Sequence, residues 1–133
     1  MKANQLVIEY PSKFKFGKTV DMLVTEAERR DWKVPAVHDL QLSLAKSGKE
    51  VKPVKVIEIC KPQYSGKMLE LNDERIISVM MPCRISVYEK DNGLTYVSLI
   101  NAGDLASGLP PKIAGVMKEA SDETFEIVKT VTA

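Results

Sequence analysis

"VMMPCRISVYEKDNGLTYVSLI", Val79 to Ile100, decides how this chain folds. Two runs rich in β-branched and apolar residues flank "KDNG", where Asn92-Gly93 readily takes positive φ, so the stretch predicts a β-hairpin. Along its first arm Cys83, Ile85 and Val87 alternate with Arg84, Ser86 and Tyr88, which gives one apolar and one polar face. A hairpin in mid-chain predicts an antiparallel sheet.

Working outward, "VKVIEIC", Val54 to Cys60, predicts another strand, apolar on both sides. "NQLVIEY" predicts a first strand stopped by Pro11, and "VPAVHDLQ" a short strand with Pro35 near its start. From Thr19, Val20, Leu23, Val24 and Ala27 form one helical stripe. Thr19 is the expected N-cap, and the helix is expected to end near Trp32. "LQLSLAKSGKEV" and "SGKMLELNDER" predict short helical turns, and the hairpin's first arm is read from "RIISVMMPCRISVYE". Pro110-Pro111 opens a last helix with a stripe of Ile113, Val116, Met117 and Ala120, continuing through Phe125 and Val128 after a kink near Ser121. The sum is a single α+β domain over residues 1–133: an antiparallel sheet of about five strands, helices packed on one face, in the order β-α-β-β-β-β-α.

The chain has 133 residues, 44% hydrophobic and 28% charged, the composition of a soluble globular domain. Net charge is +1, divided as +5 over residues 1–67 and −4 over residues 68–133. A near-neutral chain lacks the phosphate-contacting charge of a nucleic-acid binder, so no nucleic-acid partner is expected. No apolar run approaches the ~20 residues that span a bilayer, and "MKANQLVIEYPSKF" carries no leader-like apolar segment. No membrane partner and a cytoplasmic location follow as expectations, and two cysteines in a reducing compartment read as thiols or ligands.

"SKFKFGKT" imitates a phosphate-binding loop before a helix, but Ser12 stands where that loop needs its first glycine. The plainer reading is a turn into a helix. His38, the only histidine, lies beside Asp39 and reads either as a hydrogen-bonded polar residue or as a ligand. No Gly-x-Ser-x-Gly elbow accompanies it. Asp73-Glu74 and Asp122-Glu123 read as caps and solvated charge.

Cys60 and Cys83 make the one constellation with a geometric argument. If their strands pair antiparallel, the end of the first lies beside the start of the second, and the two thiols approach at one sheet end. They would then serve as reactive and resolving thiols, with Cys83 the favoured thiolate beside Lys61 and Arg84. Alternatively Cys60, Cys83 and His38 would hold a soft metal. The competing reading makes both cysteines small core residues, which the apolar company of Cys83 supports. Arg84, Tyr88 and His38 are the candidate ligand-binding residues. Tyr88 and Tyr96 would alternatively cover the open sheet face or a subunit interface.

"ICKP" followed by "MMPCRISVYE" resembles domain-of-unknown-function family 302. That family has a Phe-x-x-Thr helix opening, matched by Phe16 and Thr19. It then has a strand ending Cys-Asn-Pro, matched by Cys60-Lys61-Pro62, and Leu-Pro-Cys-basic-Val-x-Val-Tyr-Glu, matched from Met81 to Glu89. The likeness runs from about Phe14 to Val128, with Lys61 replacing asparagine and Met81 replacing leucine. It implies helices on one face of an antiparallel sheet, as in TATA-binding-protein-like architectures, and it makes both cysteines part of the family's pattern. It implies no activity. The resulting expectation is a ligand-binding or accessory module acting as a homodimer, open to a small-molecule ligand, with cofactors unassigned. The rival is a thiol- or metal-dependent enzyme or redox protein.

Overall fold

The computed structural model describes residues 6–132. Strand β1 (Val7–Pro11) leads into helix α1 (Phe16–Arg29), followed by β2 (Lys33–Asp39) and α2 (Leu40–Lys46). Strand β3 (Val54–Cys60) precedes α3 (Pro62–Leu69) and a 3-10 segment, Asp73–Met80. The hairpin is β4 (Cys83–Glu89) and β5 (Thr95–Ile100); α4 (Ala102–Leu105), a short 3-10 turn and α5 (Pro111–Lys129) complete the chain. The five strands form one sheet in the order β1-β5-β4-β3-β2, every neighbouring pair antiparallel. This is the expected α+β class.

Pleating divides the sheet cleanly. Directly opposed residues share a face, so Ile57 with Ile85, Ile85 with Leu99 and Val87 with Val97 point the same way. Those five are at most 4% exposed, and burying each contributes roughly 1.5–3 kcal/mol. Val20, Leu23 and Ala27 of α1 and Ile127 and Val128 of α5 pack into the same cluster. A smaller apolar cluster lies apart from it: Met68 of α3, Ile77, Ala106, and Ile113 and Met117 of α5.

Four local expectations are corrected. Thr19 does not cap α1. The helix starts at Phe16 with Lys15 as N-cap, and Thr19 is fully buried, its hydroxyl bonded to Ser12 Oγ at 2.7 Å and within 2.8 Å of the Lys15 carbonyl. α1 ends at Arg29, ahead of Trp32, because Asp31 turns to φ 66° and the Trp32 amide donates back to the Ala27 carbonyl at 2.9 Å. Aspartate tolerates that left-handed geometry better than most residues. β4 begins only at Cys83, the preceding Asp73–Met80 being 3-10, since Ile77 turns inward to the second cluster. α5 runs unbroken through Ser121. The "KDNG" turn forms, but positive φ is taken by Gly93 alone, at 79°; Asn92 instead accepts from the Leu94 amide through Oδ1 at 2.9 Å.

Candidate functional site

The sheet ends where β3 stops, β4 starts and β5 stops. A cavity of about 210 Å³ opens there, in the seam between the two apolar clusters. Ile59 and Leu99 form its sheet wall, Met68 and Ile77 the opposite wall, and Met117 and Ala120 its α5 side. Both cysteines line it. Register explains why: Cys83 sits opposite Ile59, so Cys60 lies one step beyond, at the last position of its strand. The register thus places Cys60 and Cys83 at the same end of the sheet.

Both cysteines are free and half-buried, and Cys60 Sγ lies 3.5 Å from Ser65 Oγ. Burial, reinforced by the neighbouring Cys60, pushes the Cys83 thiol up to about 11. That shift favours the neutral thiol form of Cys83 at neutral pH. The flanking cations do not activate it, because each has an acidic partner elsewhere. Arg84 is directly opposite Glu58 on the other face, Nε to Oε2 3.7 Å, and Lys61 Nζ is 2.7 Å from Glu123 Oε1.

Of the remaining expected site residues, His38 and Arg84 converge on Glu58 Oε2, while Tyr88 stays apart from them. His38 Nε2 is 3.0 Å from Glu58 Oε2 on the open sheet face, and it does not join the cysteines. Among the described residues no group of three or more histidine, cysteine, aspartate or glutamate side chains is arranged to hold a metal. Tyr88 lies at the far end of β4, directly opposite Tyr96, the rings stacked at 6.3 Å and 17°. It donates to Glu9, which also pairs with Lys90 at 2.8 Å. Of the candidate ligand-binding trio only Arg84 borders the cavity.

The residue that sequence reading missed is Glu123. Expected as solvated charge, it is 18% exposed and accepts three hydrogen bonds, two from the start of α3 and one from the residue before β2. Trp32 Nε1 donates to Oε1 at 2.9 Å, Lys61 Nζ to Oε1 at 2.7 Å and Tyr64 Oη to Oε2 at 2.6 Å. All three donors line the cavity. Burial works against the charged carboxyl, but the bonds from Lys61, Tyr64 and Trp32 prevail and hold it below its ordinary range. The same bond to Glu123 pushes the Tyr64 phenol up to about 12. A signal was present in the sequence: Glu123 falls three positions after Ala120 and four before Ile127, on the buried stripe of α5, whereas its neighbour Asp122 points outward to Lys118.

No curated protein matches the chain significantly. The crystal structure of an uncharacterized conserved DUF302 protein from Bacillus stearothermophilus superposes with a TM-score of 0.85 at 16% sequence identity, covering 96% of this chain and 98% of that one. At that identity the likeness establishes the fold. The family model "Domain of unknown function DUF302" matches residues 8–131, nearly the whole chain, and this protein belongs to that family.

Proposed function

We propose that this protein is a binding module for a small, mostly apolar ligand held in the sheet-end cavity. The observation that carries the reading is the cavity's place: it separates two apolar clusters that would otherwise merge into one core. Well-packed interiors leave few voids, and an apolar cavity of ~150 Å³ already takes up benzene. Four methionines on its wall (Met68, Met80, Met81 and Met117) suit it to adapt around an occupant. Under this reading the cysteines are wall residues, consistent with the high pKa of Cys83.

Trp32 is the only tryptophan and lines the cavity, so its fluorescence reports occupancy directly. Titration with 1-hexanol is expected to shift that emission and raise the melting temperature, and Ala120→Leu, which fills the void, to abolish both effects. No change with wild type up to the solubility of the alcohol would end the proposal.

The module also fits a cytoplasmic homodimer paired through the open sheet face. Val7 and Ile100 are direct cross-strand partners there, 53% and 46% exposed, and the two halves of the chain carry opposite net charge. Sedimentation should show a micromolar dimer that Val7→Lys dissociates; a strict monomer would remove this part.

A further inference from the structure

The cavity rim contains a cation site that the chain fills with its own side chain. Lys61 Nζ is 2.7 Å from Glu123 Oε1 and 5.6 Å from the centre of the Tyr64 ring. Trp32 packs against Tyr64 at 5.8 Å between ring centres, tilted 49°, and its indole N–H binds the same Oε1 that Lys61 uses. An acid beside an aromatic face suits an ammonium group: the Glu123 carboxylate supplies charge and a hydrogen-bond acceptor, Tyr64 supplies a negative π face, and Trp32 holds the carboxylate through its indole N–H. Bonds from Trp32 and Tyr64 fix the carboxylate independently of Lys61, so the site keeps its shape when the lysine leaves.

Trp32 and Tyr64 also line the apolar cavity, so the cation site and the cavity adjoin. We infer that the ligand is a small apolar primary amine. Its hydrocarbon part would lie between Ile59, Met68 and Met117, and its ammonium would replace that of Lys61 against Glu123. This rests on the reading of the cavity as the binding site and names the ligand class. A carboxylate would meet repulsion from Glu123, and an alcohol would gain no charge interaction there. Lys61, 16% exposed, has a route to water when displaced. As a tethered competitor it acts at an effective concentration in the ~mM range, which sets a threshold for the amine.

Hexylamine and 1-hexanol, which share a chain and differ in charge, form the test, read by Trp32 emission in wild type, Lys61→Ala and Lys61→Ala/Glu123→Gln. Lys61→Gln, which keeps a neutral donor to Glu123, replaces Lys61→Ala if circular dichroism shows that variant unfolded. The expected result is that removing the lysine tightens hexylamine by about tenfold or more and leaves hexanol unchanged. The added Glu123→Gln should return hexylamine to the level of hexanol. Equal binding of amine and alcohol by the lysine-free variant would overturn the amine assignment and leave the cavity reading intact. Binding of neither, to any variant, would overturn both.

Discussion

Lys61 and Glu123 stand 62 positions apart in sequence and close a 2.7 Å ion pair across the cavity rim, each less than one fifth exposed. One carboxylate thereby joins the end of β3, the first turn of α3, the start of β2 and the middle of α5. A surface pair is worth little, but here desolvated donors depend on a single acceptor.

Removing that acceptor should therefore cost more than an exposed charge would. Glu123→Ala is expected to lower unfolding free energy by roughly 2–3 kcal/mol, because Trp32, Tyr64 and Lys61 lose their shared partner together. Glu123→Gln, which retains a carbonyl oxygen, should cost less. Urea denaturation of the two variants beside wild type checks the order.

The depressed Glu123 pKa makes part of the stability acid-sensitive. A carboxyl with a folded pKa below its unfolded value of about 4.5 stabilises the fold above that value and loses the contribution as pH falls through the folded pKa. The stability difference between wild type and Glu123→Gln should thus be constant near neutrality and shrink on acidification below about pH 4.5. A difference that stays flat into strong acid would contradict the network.

At the alkaline end Tyr64 has the opposite sign. Its folded pKa of about 12 lies above the ordinary value of 10.0, so its contribution is complete below pH 10 and fades as pH rises through 12. Tyr88 behaves alike, first through burial and then through its bond to Glu9. Ultraviolet titration should show two late-ionising tyrosines in wild type, and Glu123→Gln should move one of them down toward 10.

Cys83 should be a slow thiol. A pKa of about 11 in place of 9.0 lowers the thiolate fraction at neutral pH by about a hundredfold, so alkylation of Cys83 in the folded protein should be slower by at least that factor than after unfolding. Peptide mapping of iodoacetamide adducts by mass spectrometry resolves it from Cys60. Rapid native labelling of Cys83 would restore the reactive-thiolate view.

Thr19 offers a stability test remote from the cavity. Thr19→Val keeps the shape but leaves Ser12 Oγ and the Lys15 carbonyl without the buried hydroxyl, and should cost about 1–2 kcal/mol. An N-cap role would predict a loss of helicity in α1; a core role predicts loss of global stability at unchanged helicity.

Local pattern determined much of this protein. Alternation in Cys83–Tyr88, the β-branched apolar run Val54–Cys60, a turn around Gly93 and helical stripes in α1 and α5 each express a local pattern that a few neighbouring residues fix. Those strands allowed an antiparallel pairing of β3 with β4 that would put Cys60 and Cys83 at one sheet end, and the structure pairs them so. What the cysteines border could not follow from pattern. The cavity exists because α3, the 3-10 segment and α5 gather a second apolar cluster beside the sheet, leaving a gap that depends on packing. The direction of the charges was equally a tertiary decision. Lys61 and Arg84 flank cysteines in sequence, yet their ammonium and guanidinium groups pair with carboxylates from other segments. Periodicity places a side chain on a face. Which distant group answers its charge is settled only when the faces meet, since ion pairing acts through space and carries no signature in the spacing of residues.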